Sequence, residues 1–592
     1  MLGLAGLSYL LLSFLAYWPV GPFDQHHLVD CVCGDPVQEV WFLDWMRFAV
    51  VHGHNPFITH FMIAPTGANL ALNTSFPLLG VLALPITTTL GPVAAYNFML
   101  RLALALSAFS MFAVLRRYTS WLPAAYFGGL LFGFSPYMIG HAHRHLFLTF
   151  LPLLPVFIPL VDDWLVSRRA NPWRAGAVIG LVAAAEFLIS PEIVMTVALA
   201  VVLGLVVIGL SRPREVLDRF GVLWRGVVTA IGAFFLVAGV PAYLLLAGPY
   251  RPVGAIHSAE SLAPFSGDLL APVVGTRAQF LTPARLAVVG DRFTNRSIEE
   301  NGFYLGLALV VLLLVLAFRG RRSLLLRAAF VVGVVAFVLG LGSTLKVRGH
   351  TVLSQMPFRI FTKVPILENL EPARLSLYVQ TAAAIVLAVG LDIAWVSRRQ
   401  SADGGGHRRR PDARAAGLLA VTVVSLAFLV PTVPLPTGVV RVPSFFTTSA
   451  VKRVPQDALA LTFPYDRAPA NVPMVWQVES KMRFRIFGGE AFVPAPNGVS
   501  TYRIRPPAPP DISAILLSGT ADHPGRPPMS ASAIADVRTF CRTYHVTVAL
   551  VDPNAKFADD VRLIFTRALG SAPRIEGDMY VWLDVPGAVA RD

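Results

Sequence analysis

Long apolar segments recur along most of the chain, separated by shorter segments rich in arginine, proline and glycine. Most of them are long enough to cross a hydrocarbon core of roughly 30 Å as a helix. Overall 55% of the residues are hydrophobic, 14% are charged, and the mean hydropathy is +0.62. The pattern predicts a polytopic membrane protein with eleven spans, at 1–20, 94–115, 121–140, 146–165, 174–190, 193–211, 226–247, 303–318, 327–345, 376–396 and 415–435.

The apolar segment at 76–90 is left out of these spans. It begins beside Pro77, contains Pro85 and is followed by Gly91, so it is both short and interrupted. Such segments are typical of re-entrant or interfacial elements rather than of helices that cross the bilayer. Leaving it out decides on which side of the membrane every later loop lies.

The arginine-rich loops predict the orientation. If the N-terminus is cytoplasmic, all of them fall on the cytoplasmic side, as the positive-inside rule expects. They lie at 116–117, 168–174, 212–225, 319–327 and 398–414. The net charge of +14 then reflects topology and anionic membrane lipids, and we expect no nucleic-acid partner. Arginine outnumbers lysine, a bias typical of GC-rich bacterial genomes, so we expect a bacterial plasma membrane.

The last part of the chain has a different pattern, which begins at about Thr437. Strand-like segments at 458–463, 546–551 and 579–585 accompany a helical segment at 531–544. An odd number of spans places this part outside. We therefore predict a mainly α fold, in which a polytopic transmembrane helical domain is followed by a small extracytoplasmic α/β domain. The domains cover 1–436 and 437–592, and the outer loops of the first lie at 21–93, 248–302 and 346–375.

Ionisable residues gather on the predicted outer face, which favours an enzyme site there over a mid-membrane transport path. Asp30, Asp35 and Glu39 lie in the first outer loop, the last two within the run CGDPVQEVWFLDW. Asp35 would be the N-cap of an amphipathic interfacial helix with Pro36 at its first position. It could serve as a cap, as a base for a bound hydroxyl, or as both. Glu39, one turn further on, either orients a substrate or is solvated.

Several segments share their layout with a known family. An N-terminal span, an acidic outer loop, an interfacial helix and a proline-led apolar element are followed by GPVAAYNFMLRLALALSA at 91–108. This layout resembles the GT-C superfamily of polytopic glycosyltransferases. The segments LGSTLKVRG, from Leu341, and WQVESKMRFRIFGGE, from Trp476, are similar to bacterial membrane proteins of this type. The paired acidic signature of better-known members is absent from the first outer loop, where the carboxylates are spread out.

The resemblance implies a reaction and its participants. Superfamily members take a sugar from a polyprenyl-phosphate donor at the outer face, with an acidic residue of the first outer loop as general base. Asp35 matches that base, with Asp30 as second choice and Glu39 beside it. The implied partners are a polyprenyl-phosphate sugar donor, a glycan or glycolipid acceptor, and membrane lipids.

Such a reaction also needs cations that hold the donor phosphate. The candidates are Arg101, Arg144, Lys363 and Arg374. For Arg101 the alternative is snorkelling to the outer headgroups. For Lys363 and Arg374 it is solvation or pairing with glutamates of the same loop.

Two short outer turns add further polar residues. If helical, His141 and His145 share a face at i, i+4, which suits zinc, but the spacing identifies no further ligand. We therefore favour contact with a phosphate or sugar, assign no certain cofactor and leave a divalent metal open. Glu192 starts an outward-facing helix, where a carboxylate either contacts substrate or is favoured by the helix dipole alone.

In the C-terminal domain Trp476 and Gln477 could bind carbohydrate, because an aromatic face stacks on sugars and an amide bonds their hydroxyls. A buried tryptophan in a small fold explains Trp476 equally well. The leading hypothesis is an inverting glycosyltransferase acting on a cell-envelope glycan or glycolipid. The alternatives are a transporter or flippase for a lipid-linked precursor and a non-catalytic envelope assembly protein.

Overall fold

The computed structural model of the chain describes residues 2–211, 220–257, 259–294, 297–403, 412–467, 469–502 and 509–589. The chain divides into two units, each made of several segments. The first contains Met1–Pro22, Phe98–Val240 and His257–Pro436, and the second contains Phe23–Asn97, Pro241–Ile256 and Thr437–Asp592. The predicted boundary after residue 436 is one of these boundaries, whereas 23–97 and 241–256 group with the C-terminal segment. The two functional domains stay a prediction.

The first unit is almost entirely helical. Its longer helices are Leu2–Ala16, most of Pro92–Leu115, Leu122–Gly133, Pro172–Phe187, Pro191–Ser211, most of Phe220–Ala247, Leu307–Arg319, Leu324–Gly340, Ser376–Asp403 and Asp412–Ala427. Shorter turns include Pro136–His141, Leu146–Thr149, Phe157–Val161, Asp162–Val166, Ala259–Leu262, Ala284–Gly290, Pro357–Lys363, Leu367–Asn369 and Pro372–Leu375. A hairpin of Leu345–Val347 and His350–Leu353 is its regular β-structure within the described residues.

Six helical segments of the described chain are long and apolar enough to cross a membrane. They are Pro92–Leu115, Leu122–His141, Leu146–Val166, Pro191–Ser211, Gly221–Ala247 and Pro372–Val396. Each of the eleven predicted spans contains helical structure, and the multi-pass, mainly α class is confirmed. The segment at 76–90 is also a helix, Pro77–Leu90, with Pro85 inside it. At about 1.5 Å per residue it is roughly 21 Å long, shorter than a hydrocarbon core. The number of crossings and the orientation stay predictions.

Small residues let helices of the first unit approach closely. A Cβ on Gly128 would lie 2.9 Å from the Cβ of Ala388 and 3.1 Å from the carbonyl oxygen of Ala384. Close backbone approach of this kind replaces the hydrophobic driving force that lipid cannot supply between helices. The glycine therefore lets Leu122–Gly133 pack closely against Ser376–Asp403, the helix that directly follows the Pro372–Leu375 turn.

The second unit has the Gly34–His52 helix in its interior. This helix packs against Pro77–Leu90 and Val472–Glu479, and Glu39 is 1% exposed. The interfacial helix expected here is instead packed inside the unit. Of the two alternatives for Glu39, solvation is wrong, because other segments cover the polar side of this helix. The N-cap is Cys33, which forms a disulfide with Cys31, and Asp35 stands at the second helical position rather than at the predicted N-cap.

The described strands of the C-terminal segment form a mixed sheet. We number the strands Ala458–Phe463 (β1), Phe484–Ile486 (β2), Val548–Val551 (β3), Arg574–Glu576 (β4) and Met579–Trp582 (β5), and the sheet order is β4-β5-β3-β1-β2. β1 is parallel to β2 and β3, and β5 is antiparallel to β3 and β4. The helices Pro510–Leu517, Ala531–Thr543 and Ala558–Leu569 accompany it. The three predicted strand segments and the predicted helix are confirmed.

Three short strand pairings and several turns complete the described part of the second unit. His27–Val29 pairs with Thr437–Val439, and Ile58–Thr59 pairs with Ala68–Asn69. A further pair joins Val493–Pro494 to Ser500–Thr501. The remaining short helices are Leu70–Asn73, Ser444–Thr447, Ser449–Arg453 and Val585–Val589.

Candidate functional site

A buried ion-pair cluster lies in the first unit, built around the Arg374 guanidinium. Its Nη1 donates to Glu192, its Nη2 lies 3.1 Å from a Glu371 oxygen, and its Nε lies 3.5 Å from a Glu300 oxygen. The four side chains are each less than one-fifth exposed. We call Arg374, Glu192, Glu300 and Glu371 the ion-pair cluster. One guanidinium thus faces three carboxyl groups that are largely shielded from water.

Local structure explains why Arg374 faces these partners. The Pro372–Leu375 turn leads directly into the Ser376–Asp403 helix, and Glu371 is the residue that precedes the turn. Glu192 follows Pro191 in the first turn of its own helix, where a carboxylate is favourable. The pairing of Arg374 with a glutamate of its own loop, one of the alternatives weighed from the sequence, is confirmed.

A histidine pair adjoins the cluster. His141 Nδ1 lies 3.1 Å from His145 Nδ1, so the two rings meet. The Pro136–His141 helix ends at His141, and a turn in which the His145 N–H donates to the His141 carbonyl at 2.7 Å brings His145 beside it. One ligand atom of each histidine and one oxygen of Glu300 lie within 4.8 Å of one another. Glu300 is thus a third candidate ligand, which the sequence spacing did not identify. Two atoms bound to one zinc at about 2.1 Å in tetrahedral geometry are about 3.4 Å apart, so small side-chain movements would bring all three onto one ion.

Several buried polar atoms here have no hydrogen-bond partner among the described residues. They are Tyr137 Oη, His141 Nε2, Glu192 Oε1 and Glu300 Oε2. The Tyr137 ring contacts the His141 ring at a centroid distance of 4.3 Å. Buried polar groups are almost always satisfied, since leaving one unmet costs about 1–3 kcal/mol. Their convergence therefore indicates a place where an ion, water or polar ligand binds.

Burial changes the acid–base properties of the loop residues at this site. It raises the pKa of Glu300 well above its ordinary value, although Arg374 opposes the shift. Burial also lowers the pKa of His257, and with the charge of Arg374 acting in the same direction that pKa falls to about 4. Loss of hydration disfavours the charged form of each group. His257 is therefore neutral at physiological pH and offers the site a hydrogen-bonding ring without adding charge.

The other candidate cations have different surroundings. Arg101 is 1% exposed, donates to the Val20 carbonyl and lies over the Tyr17 ring at 4.8 Å, so it is enclosed by protein and does not snorkel. Arg144 lies 3.7 Å from Glu299, next to Glu300 in the chain. Lys363 is exposed at the end of Pro357–Lys363. Their roles in binding substrate stay predictions.

The predicted carbohydrate residues of the second unit lie in its core. Trp476 is fully buried and stacks on Phe446 at a centroid distance of 5.0 Å, so both ring faces are covered. Gln477 accepts from the indole N–H of Trp41 and donates to the carbonyls of Phe61 and Phe484. These contacts support the alternative of a structural tryptophan, and they correct the expectation of an accessible sugar-binding surface.

The acidic residues of the first outer loop belong to the second unit. Asp35 is half-buried at the start of Gly34–His52, where the Gly34 N–H donates to the Pro469 carbonyl and to the Asn471 side chain. Asp30 has a left-handed backbone with φ of 68°. Glu39 is enclosed, as described above. The assignment of a base among them stays a prediction.

Sequence reasoning did not select Tyr137, His257, Glu299 or Glu300. The run SIEEN at 297–301 carries two adjacent carboxylates in a long predicted outer loop, and that was the available signal. No spacing relates them to His141, because the fold, and not a local motif, brings them together.

The fold and the long apolar helices define the class: a multi-pass membrane protein with the fold of GT-C glycosyltransferases. Arabinofuranosyltransferase AftD from Mycobacteria matches with a TM-score of 0.52 and 14% identity, over 97% of this chain and 37% of that chain. A variant of the same enzyme matches with a TM-score of 0.54 and 14% identity, over 94% and 37%. This chain thus spans little more than a third of the length of AftD.

The chain belongs to the family described as "Domain of unknown function (DUF6311)", whose model matches residues 7–364. Archaeal oligosaccharyltransferase AglB from Archaeoglobus fulgidus, in complex with an inhibitory peptide and a dolichol-phosphate, matches with a TM-score of 0.48 and 12% identity over 99% of this chain and 71% of that chain. No curated protein matches the chain.

Proposed function

We propose that this protein is a membrane glycosyltransferase that moves a sugar from a polyprenyl-phosphate donor to a cell-envelope glycan or glycolipid. The observation that carries the proposal is the convergence of unsatisfied, buried polar atoms on the ion-pair cluster and the histidine pair. A site of that kind suits a ligand that is strongly polar at one end, as a lipid-linked sugar phosphate is. The similarity of the fold to that of GT-C glycosyltransferases also supports the proposal.

In this proposal the first unit binds the donor phosphate. Arg374 would contact a phosphate oxygen through the fork of nitrogens that now faces three carboxylates. His141, His145 and Glu300 would hold a divalent cation, and a bound cation would supply positive charge against the departing phosphate. The unsatisfied Glu300 Oε2 and the 3.1 Å separation of the two Nδ1 atoms fit that role. Tyr137 would donate its hydroxyl hydrogen to the bound sugar or phosphate.

The chemical step needs a general base. We retain Asp35 for it, with Asp30 as second choice, on the resemblance to the superfamily alone. The base would take the proton of an acceptor hydroxyl while that oxygen attacks the anomeric carbon and the bond to the phosphate breaks. Attack opposite the departing phosphate inverts the configuration at that carbon.

A donor-binding and transfer experiment tests the proposal. The purified chain in nanodiscs is given polyprenyl phosphate, and separately a panel of radiolabelled polyprenyl-phosphate sugars with membrane glycolipid acceptor. We expect Glu300→Gln to weaken binding of polyprenyl phosphate and to lower transfer at least tenfold, and Asp35→Asn to lower transfer without weakening binding. Glu368→Gln, in an outer-loop position outside the ion-pair cluster, is the matched control.

Three results would contradict the proposal. One is full transfer by Asp35→Asn, which would remove the base assignment. Another is equal donor binding and equal transfer by Glu300→Gln and Glu368→Gln, which would contradict a donor site at the ion-pair cluster. The third is movement of labelled lipid across liposomes with no new glycosidic bond, which would favour the flippase.

A further inference from the structure

An apolar cavity of about 500 Å³ lies among the helices of the first unit. Its walls come from Pro191–Ser211, Leu324–Gly340, Ser376–Asp403 and the segment that ends with Asp162–Val166. Along the first of these helices it extends from Val197 to Ile208, which is roughly 16 Å at about 1.5 Å per residue. The volume falls within the range of about 300–1,000 Å³ that is usual for small-molecule sites.

The two ends of the cavity differ in polarity. At the end nearer to Glu192, the polar lining is the hydroxyls of Tyr378 and Thr381. Both are already used, since Tyr378 Oη donates to Thr196 Oγ1 at 2.8 Å and Thr381 Oγ1 donates to the Leu377 carbonyl at 2.7 Å. This end therefore offers a ligand little beyond apolar contact.

The opposite end carries charged residues. Arg117, Asp162, Ser167 and Arg169 line it. Asp162 accepts from Tyr118 and Ser167, while Arg117 is paired with Asp163, so the two carboxylates are occupied. Arg169 is exposed, and its guanidinium makes no ion pair within the described residues.

The surrounding charge is positive on the same predicted side. Leu324 and Leu325, which line the cavity, directly follow the loop that contains Arg321 and Arg322, both exposed. Arg116 and Arg168 are exposed as well. An apolar cavity within membrane-spanning helices whose polar end is basic complements a lipid with an anionic headgroup.

We propose that this cavity is a binding site for an anionic diacyl phospholipid, with the phosphate on Arg169 and an acyl chain between the helices. The headgroup belongs at the Arg169 end because, among the described residues that line the other end, the hydroxyl hydrogens are already donated and cannot bond a phosphate. A donor whose phosphate lay on Arg374 would present its headgroup at the opposite end, so this site differs from the proposed donor site. The inference does not depend on glycosyl transfer.

Lipid binding by the whole purified chain tests the site. The protein in detergent is titrated with phosphatidylglycerol or with phosphatidylcholine of identical chains, and bound lipid is counted by native mass spectrometry. We expect phosphatidylglycerol to bind at least tenfold more tightly, because a charge-assisted contact contributes about that factor. Arg169→Gln should remove this preference, while Arg322→Gln, an exposed arginine on the same predicted side that does not line the cavity, should keep it.

A second pair of variants tests the cavity itself. Val201 lines it, whereas the next residue, Val202, is 56% exposed. Val201→Trp should lower binding of both lipids at least tenfold, and Val202→Trp should not. Val201→Phe, a smaller change, repeats the test if the tryptophan variant does not fold, as judged by its thermal transition.

Several results would overturn the proposal. Equal losses for Arg169→Gln and Arg322→Gln would mean that general surface charge attracts the lipid. Unchanged binding to Val201→Trp or Val201→Phe would place the lipid outside the cavity. Loss of polyprenyl phosphate binding in the cavity-filling variant, with phosphatidylglycerol unaffected, would assign the cavity to the donor chain instead.

Discussion

Replacing Arg374 with glutamine should destabilise the first unit strongly. The guanidinium contacts Glu192, Glu300 and Glu371 through three different nitrogens, and all four side chains are largely buried. Removing one partner of a buried pair costs about 3–5 kcal/mol, because the charge left behind has neither water nor a counter-ion. Here three carboxylates would be left, so we expect the upper part of that range. Arg374→Lys keeps the charge but not the three-way fork, and should cost about 1.5–3 kcal/mol.

The loss of stability in Arg374→Gln should depend on pH. Burial already raises the pKa of Glu300, and Arg374 is the charge that opposes this shift. Without the guanidinium, the folded protein binds protons at the cluster more tightly than the unfolded chain does. A carboxyl group whose folded pKa is raised stabilises the fold below its ordinary pKa, and this contribution is lost as pH rises through the folded pKa. The deficit of Arg374→Gln should therefore grow as the pH rises above the ordinary pKa of a glutamate.

Chemical denaturation of the purified protein in detergent measures the effect. Lys363→Gln is the control, because this cation is exposed and its loss should change stability by no more than about 0.5 kcal/mol. A glutamine variant at position 374 that is as stable as the original chain at pH 8 would refute the account of the cluster. A deficit that shrinks as pH rises would also refute it.

Three further predictions concern other parts of the molecule. Gln477→Leu should destabilise the second unit by at least about 3 kcal/mol in denaturation, since it leaves two carbonyls and an indole N–H unpaired; a change below 1 kcal/mol would contradict this. Burial raises the pKa of Asp466 to about 7 from 3.8, so stability should fall by up to about 4 kcal/mol as pH rises from 4 to 7, and Asp466→Asn should lack that slope. Elemental analysis should find one zinc per chain, which His141→Gln should lose and His143→Gln should keep. Equal zinc contents in the two variants would contradict a metal site at His141, His145 and Glu300.

Local patterns predicted those features that depend on one segment. The strands and helix of the C-terminal part follow from short-range periodicity. The contact between His141 and His145 follows from their separation of four residues, which one turn spans, and that of Arg374 with Glu371 from their separation of three residues. Each of these features can be predicted without the rest of the fold.

Features that depend on contacts between distant segments could not be predicted from the sequence patterns. Glu192 and Arg374 are 182 residues apart, and no periodicity joins them. Solvation of Glu39 stayed an open alternative because the pattern of one helix cannot reveal the Pro77–Leu90 and Val472–Glu479 helices that pack around it. The alternative that Arg101 snorkels is wrong for the same reason, since its contacts with Val20 and Tyr17 come from a separate segment.

Formation of a new glycosidic bond by the purified chain tests the central claim most directly. The protein is reconstituted with a radiolabelled polyprenyl-phosphate sugar and a membrane glycolipid acceptor, and the product is isolated and its anomeric configuration read by NMR. The account predicts a labelled glycolipid with inverted configuration, and little product from Glu300→Gln. Donor bound at the ion-pair cluster without any transfer to acceptor, across the full panel of donors, would contradict the claim that this protein is a glycosyltransferase.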